Sequence, residues 1–309
     1  MNIIFWIQSP QSQYAAQAIN VLAHQYGNLN FIGTVQSNTP TPVPGGIIIN
    51  DKPLPIINKA ELPAIDYDLI VVIGQNASLV PILKEAKDLN INTDKVILDR
   101  TICVPGFTLE RYKKLRKSNL SIFSINCWGG LAYHTFGLSF SSPTINMFFG
   151  DKDYLKLLHD PMTYMNKELK FYMTNVEDKK NKYPVFLLDD IRVYMNHYAD
   201  LGVDGARQKW EERRLKINWF NLLIVMYTEK MEILEEFDSL PYDKKVCFVP
   251  FETSIDSGFY IKPEFINAMK KINPNYGLAD AGNFIAENKI QYYDLWDLLL
   301  YGKKTILQG

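Results

Sequence analysis

The sequence predicts an α/β protein of two domains: an N-terminal Rossmann-like parallel sheet over residues 1–118, then a second α/β three-layer domain over residues 119–309. Three observations lead there. Short β-rich apolar runs alternate with helical stretches from the first residues onward, the pattern of a parallel sheet with helices on both faces. One run, Asp68–Ile73, is apolar after its first residue without interruption, as a strand covered on both faces must be. The alternation stops at the polar stretch Lys117-Ser118-Asn119 and restarts with the apolar run Leu120–Ile125. A length of 309 residues suits about two domains.

The first strand is Ile3–Ile7, too short for a signal peptide and lacking a basic leader and a cleavage site. After Ser9-Pro10 a helix runs from Gln11 to His24, with Ala15, Ala18, Ile19 and Leu22 on one stripe. Phe31–Val35 and Ile47–Ile49 read as short strands, separated by a turn-rich segment with Pro40, Pro42 and Pro44 closed by Gly45-Gly46. Gly74 turns the chain out of strand Asp68–Ile73 into the helix Ser78–Leu89. Strand Lys95–Leu98 follows, and Thr108 caps the helix Leu109–Lys117. Ligands of such sheets bind beyond the carboxyl ends of the strands, which here carry Ser9, Gly74 and Asp99. The same places suit plain turns, since neither a GxGxxG fingerprint nor a Walker loop is present.

The second domain concentrates the unusual residues. Strand Leu120–Ile125 runs into Asn126-Cys127-Trp128-Gly129-Gly130, where two glycines permit the close backbone approach of an anion or sugar cradle. In that reading Asn126 and the amides bind a polar ligand and Trp128 stacks on a ring; the alternative is a tight strand-to-helix turn around a buried Trp128. His134 follows on the next helix. Ser142-Pro143-Thr144 leads an apolar strand, Ile145–Phe149, which ends in Asp151-Lys152-Asp153. An Asp-x-Asp there matches the way many glycosyltransferases hold a divalent metal against a sugar diphosphate; Asp151 suits equally the N-cap of a helix over Tyr154–Leu158.

The stretch from Tyr183 to Tyr198 reads as one strand. With period two, Asp189, Ile191, Val193, Met195 and His197 share one face, and Asp190, Arg192, Tyr194 and Asn196 the other. His197 is placed for proton transfer near neutral pH, with Asp190 the second candidate base. A helix over Ala206–Trp219 carries Trp210 and Ile217 on one stripe, where Arg213 and Arg214 stand at the apolar positions expected between them. A guanidinium there needs an anion: a carboxylate such as Asp189, Asp190 or Asp238, or a ligand phosphate held at two points. Asn218 and Asn221 follow at the turn into strand Leu222–Tyr227. Glu232–Asp238 reads as a helix, Lys245–Val249 as a strand, Phe251–Gly258 as a loop and the last fifty residues as helices. The aromatic end piece Tyr292, Tyr293 and Trp296 packs on the body or on a second copy, which makes a homo-oligomer one option.

Composition narrows the function classes. A net charge of −1 provides no global field toward nucleic acid or an anionic membrane, although a local basic site is compatible with it. The three cysteines, Cys103, Cys127 and Cys247, are widely spaced without a CxxC knuckle, which points to reduced thiols, no disulfide framework and a cytoplasmic protein. The longest apolar run, Trp219–Tyr227, is broken by Asn221 and falls short of the ~20 residues of a membrane span. There is no GxSxG elbow.

Taken together, Ser124, Asn126, Trp128, Gly129, Gly130 and Tyr133 resemble the motifs of a bacterial domain-of-unknown-function family whose members occur among exopolysaccharide and capsule biosynthesis proteins. The resemblance continues in order through Phe136 and Leu138, Ser142 to Thr144, Asp153-Tyr154, Tyr183-Pro184, Leu188 with Asp190-Ile191, and His197-Tyr198. It ends with Trp210, Arg213, Arg214, Ile217-Asn218, Asn221 and Phe237-Asp238 with Leu240, covering about residues 120–250. It implies surface-glycan assembly and a glycosyltransferase-like role. A nucleotide sugar or glycan intermediate would be the partner, Arg213 and Arg214 would hold the diphosphate, Trp128, Gly129 and Gly130 the sugar, and His197 or Asp190 would act as base. Two alternatives share the residues: a non-catalytic glycan or nucleotide-sugar binding module, and a transferase of acyl or phosphoryl substituents onto glycan.

Overall fold

A computed structural model describes residues 1–8, 12–36, 47–49, 52–74, 77–175 and 182–307. The chain divides into two compact units, residues 1–113 with 134–139 and residues 114–133 with 140–309. Each carries its own parallel sheet.

In the first unit, β1 (Asn2–Ile7), α1 (Ser12–Tyr26), β2 (Asn30–Gln36) and a minimal antiparallel pair, β3 (Ile48–Ile49) and β4 (Lys52–Pro53), precede β5 (Leu69–Ile73). α2 (Leu79–Asp88), β6 (Val96–Leu98), the short α3 (Asp99–Ile102) and α4 (Leu109–Lys117) complete it, α4 crossing into the second unit after Lys113. The sheet order is β2-β1-β5-β6, and all pairings are parallel. All five residues of β5 are buried, as its unbroken apolar run requires. Ala15, Ala18 and Leu22 of α1 are buried, as are Leu79, Ile82 and Ala86 of α2. The expected turns at Ser9-Pro10 and Pro40–Gly46 lie outside the described residues.

The second unit opens with β7 (Ser121–Ser124) and α5 (Trp128–Phe136), whose last residues belong to the first unit. α6 (Asp151–His159) and α7 (Pro161–Met165) lead to a three-stranded antiparallel sheet of β8 (Leu169–Asn175), β9 (Tyr183–Leu188) and β10 (Ile191–Tyr194). After a 3-10 segment, Asn196–Leu201, come α8 (Gly202–Arg214), β11 (Leu222–Tyr227), α9 (Met231–Ser239), β12 (Lys245–Val249) and β13 (Gly258–Tyr260), then α10 (Pro263–Ile272), α11 (Leu278–Ala286) and α12 (Leu295–Tyr301). The central sheet is parallel in the order β13-β12-β11-β7. Its alternating residues serve two cores. Phe123, Ile224, Met226, Cys247 and Val249 pack with Tyr154, Leu158, Leu234 and Trp210. On the other side Phe248 receives Trp128 of α5 and lies against Gly282 of α11. Helices therefore cover both faces, giving three layers.

Several local expectations change. The expected strand Tyr183–Tyr198 is a hairpin over Tyr183–Tyr194 followed by the 3-10 segment that holds His197 and Tyr198, because Asp189 takes a left-handed φ of 61° and, with Asp190, turns the chain. Ile191, Val193 and Met195 are nonetheless fully buried, as the alternation demands. Ile145–Phe149 forms no ladder strand: Pro143 and a left-handed Asn146 interrupt it, and only Phe148 bridges to Tyr194. The helix expected from Ala206 starts at Gly202 and ends at Arg214, short of Trp219. Asp151 is not an N-cap; the cap position is Gly150, and Asp151 is the first helical residue.

Candidate functional site

β7 is the edge strand of the central sheet, yet its backbone is not open. The Tyr133 hydroxyl accepts from Ile122 N (2.9 Å) and donates to Leu120 O (2.9 Å), and Ser141 Oγ also donates to Leu120 O (2.7 Å). Thr144 Oγ1 accepts from Ser124 N (3.1 Å). Ser124 Oγ donates to Asn126 O (2.7 Å) and accepts from Gly129 N (3.0 Å), and Asn126 Oδ1 accepts from Trp128 N (3.1 Å). These side chains satisfy the sheet edge and cap the first turn of α5, work that unpaired edge amides and helix starts both demand.

The glycines explain themselves in the same mesh. A Cβ at Gly129 would lie 2.9 Å from Ser124 Oγ, and one at Gly130 would drive into Asn146 Oδ1 and come within 3.0 Å of Ile145. Trp128 is 1% exposed, packed on Phe248, so no face of its indole meets solvent. Asn126, Trp128, Gly129 and Gly130 thus sit together at the carboxyl end of β7, with the Trp128 and Gly129 amides engaged by the protein itself.

Titratable groups gather around Cys127, at the same end. Its thiol, half-buried, lies within the fields of Asp280, Tyr198 and Tyr227. Burial, with Asp280 adding to it, pushes the thiol up to about 11, so it stays protonated at neutral pH. Asp151, at the start of α6, is raised by burial, with Lys230 lowering it and Glu229 raising it. Tyr227, the last residue of β11, is raised by burial and by Asp151 and Asp280. Asp280 stands in the first turn of α11, where it accepts from Gly277 N (2.9 Å).

Arg213, near the close of α8, reaches this group through Tyr198. Its guanidinium donates to the Tyr198 hydroxyl and lies over the Phe140 ring, 5.1 Å from the centroid, and over Tyr198 at 5.7 Å. Tyr198 in turn donates to Ile145 O (2.6 Å), and burial raises its phenol despite Arg213, so it is a neutral acceptor for the guanidinium. Arg213 is half-buried, and among the described residues no carboxylate pairs with it. Arg214 differs. It is bound to Glu211 and to Met165 O (2.8 Å). None of the three carboxylates expected to pair the arginines does so. Asp189 meets Lys167 at 3.0 Å, Asp190 meets Lys156 at 2.8 Å, and Asp238 accepts from Ser257 N at 3.0 Å.

The other expected site residues lie apart from one another. His197 is exposed in the 3-10 segment, next in sequence to Tyr198. Asp190 is exposed at the hairpin tip, held below its usual range by Lys156 and by Tyr164, which donates to it at 2.9 Å. Asp153 accepts from Arg192 N (3.1 Å), away from Asp151's neighbours Lys230 and Glu229. Among the described residues no group of three metal-ligating side chains gathers. His134 belongs to the first unit, where desolvation and then Arg100 push it down to about 4, although the residue is exposed. Asn218 sits at the opposite end of β7 from Asn126: its N donates to Ser121 Oγ (2.8 Å) and its side chain to Asn119 O (2.9 Å).

Tyr227, Lys230 and Asp280 carry no expectation from the sequence, and Cys127 and Tyr198 only that of motif residues without a site role. The available signal was the rule that parallel sheets bind ligands beyond their carboxyl ends, applied to the residues after strand Leu222–Tyr227 as well as to those after Leu120–Ile125.

In the first unit the corresponding end is built around Asp99, 1% exposed. It accepts from Gly74 N (3.1 Å) and Arg100 N (2.6 Å), while burial pushes its carboxyl up to about 6. Arg100 donates to the carbonyls of His134 (2.9 Å) and Ala77 (2.6 Å). Ser9, expected beside them, lies outside the described residues.

Comparison with known proteins adds kinship without a reaction. The family described as "Domain of unknown function (DUF1919)" matches residues 99–295. An uncharacterized protein of Haemophilus influenzae is 30% identical over 196 residues, which cover 62% of this chain and 86% of the relative.

Proposed function

The chain belongs to the family of domain of unknown function DUF1919, and from that premise we propose that it acts in surface-polysaccharide biosynthesis, binding a nucleotide sugar between Arg213 and the carboxyl end of its central sheet and transferring the sugar. One observation carries the reading: Arg213, a half-buried guanidinium held by an aromatic ring and a phenol, without a carboxylate partner among the described residues. A partly desolvated guanidinium in that state is suited to a phosphate, which accepts two parallel hydrogen bonds from it. Arg214, already bound to Glu211, is not.

In this mechanism the acceptor hydroxyl attacks the anomeric carbon, the nucleoside diphosphate leaves, and Arg213 holds the charge that develops on it. The base is His197, next in sequence to the Tyr198 that orients Arg213; Asp190, engaged by Lys156 and Tyr164, is the weaker candidate. Tyr227 and Asp151, at the ends of β11 and the start of α6, take the sugar-binding role first assigned to Trp128, which is enclosed. A thiolate route through Cys127 is disfavoured by its raised pKa.

A second reading, a binding module without chemistry, is favoured by the exposure of His197, since a proton-transfer group usually works where water is excluded. The test is a thermal-shift and calorimetry panel of nucleoside-diphosphate sugars, coenzyme A esters and inorganic phosphate on wild type and Arg213→Lys. A nucleotide-sugar response weakened in the variant by about 1.5–3 kcal/mol, at unchanged melting temperature, supports the site. Product formation that disappears in His197→Gln separates transfer from binding. A response to coenzyme A esters alone moves the assignment to substituent transfer, and none at all removes it.

A further inference from the structure

At the amino-terminal end of the central sheet, away from Cys127, Asp151 and Tyr227 at its other end, the loop between α8 and β11 exposes its largest side chains. Phe220 is fully exposed and Leu215 is 80% exposed, whereas Trp219 between them turns inward onto Phe123. The outward placement is built. Asn218 Oδ1 accepts from Phe220 N (3.2 Å), and the same residue is tied by its backbone to Ser121 and by its amide to Asn119. Asn221 donates to Ser118 O (2.8 Å) and accepts from Lys244 Nζ (2.8 Å), which also donates to Leu300 O (2.8 Å). That network brings four segments to one end: the close of α4, the α8–β11 loop, the start of β12 and the end of α12. A second exposed ring, Tyr301, is 42% exposed there, between Lys114 (4.6 Å from its centroid) and Lys303 (5.8 Å).

The charges on these segments are nearly all of one sign. Lys114, Lys117, Lys216 and Lys303 are exposed and Lys244 is half-buried. Against them stands Asp243; Glu211 and Glu212 of α8 are engaged by Arg214 and Lys209. The asymmetry is local, because the whole chain carries −1. Exposed apolar side chains on segments that also carry exposed lysines, on a unit with no helix among the described residues long and apolar enough to cross a membrane, are the arrangement of a peripheral bilayer contact. The apolar tips enter the headgroup boundary and the lysines reach anionic lipid, their long stems lying along the surface. We propose that this end docks on a bilayer bearing anionic lipids, through Phe220 and Leu215 with Lys117, Lys216 and the Lys114–Tyr301–Lys303 group. The inference stands independently of the nucleotide-sugar reading.

Co-sedimentation of the full chain with vesicles tests it, using neutral phosphatidylcholine and the same lipid with about 30% phosphatidylglycerol, a strongly anionic surface. Binding is expected to the anionic vesicles only and to fall at high salt. Lys117→Gln with Lys216→Gln should weaken it by about fivefold for each lysine removed, and Phe220→Ser should weaken it further at an unchanged melting temperature. Equal binding to neutral vesicles, or none to either, overturns the proposal. So does self-association of the wild type that Phe220→Ser abolishes, since a second copy would then cover the face.

Discussion

Both units end a parallel sheet in polar residues, yet the two ends differ in what those residues do. In the first unit the order β2-β1-β5-β6 places strands on both sides of β1, the reversal at which such sheets usually bind ligands. The described polar groups there hold backbone: Asp99 takes the amides of Gly74 and Arg100, and Arg100 takes the carbonyls of Ala77 and His134. In the second unit the strands follow one another without reversal. Ser124, Asn126, Tyr133 and Thr144 also hold backbone, but the side chains of Arg213, Cys127, Asp151 and Tyr227 show no bond to backbone among the described residues. Strand order locates the end of a sheet where a ligand can sit. Which groups are left to meet it depends on the hydrogen bonds the fold has already taken.

The strongest way to break that comparison is through the residues assigned to the scaffold. Trp128→Ala should cost about 3–5 kcal/mol of stability, the range for a fully buried tryptophan, and lower the melting temperature without any ligand present. A stable Trp128→Ala protein that had lost only ligand affinity would return Trp128 to the binding surface.

Next in size is the pH response of the first unit. Asp99 titrates near 6 when folded and near 3.8 when unfolded, so the folded state holds the proton between those values and stability falls as pH rises through the window. The full difference is about 3 kcal/mol. His134 is displaced the other way, to about 4 from 6.5, so its contribution is present above 6.5 and lost as pH falls toward 4. Melting curves between pH 4 and 7 should therefore show opposing slopes once the groups are separated. Asp99→Asn should leave stability rising with pH, and His134→Gln should leave it falling. Parallel curves for both variants would mean that neither group is displaced as described.

Smaller effects sharpen the contrast between the paired and unpaired arginines. Arg214→Ala removes an ion pair to Glu211 that is partly open to solvent, plus one carbonyl contact, and should cost about 1 kcal/mol of stability. Arg213→Lys should leave stability nearly unchanged and act on ligand affinity. Smallest of all, Asp190→Asn should not move the melting temperature measurably, since both members of its pair with Lys156 are exposed. A large loss there would show that the hairpin tip is more than a turn.

Much of the fold was legible because it rests on local rules. The unbroken run of β5, the stripe of α1 and the alternation of Ile191, Val193 and Met195 each appear where periodicity places them. Legibility failed where one backbone angle redirected the chain, as at Asp189 and Asn146, both left-handed. Neither is a glycine, and although Asp and Asn tolerate that region best among the other residues, most of them do not adopt it, so residue type gave only a weak signal. β8 and β13 were missed and β9 and β10 were read as one strand, because pairing partners distant in sequence decide which segments join a sheet.

For the site, residue type showed which side chains are chemically able, and position in the fold showed which are available. By itself the sequence determined two parallel α/β layers, their apolar strands, and the polar residues clustered after β7, because periodicity and turn chemistry act within a few residues. Only the tertiary structure decided that Trp128 is enclosed and that Asn218 lies at the far end of β7 from Asn126. It also decided that Arg214 meets Glu211 while Arg213 meets Tyr198 and Phe140. Two adjacent arginines on one helix point in directions about 100° apart, so their partners come from different parts of the chain.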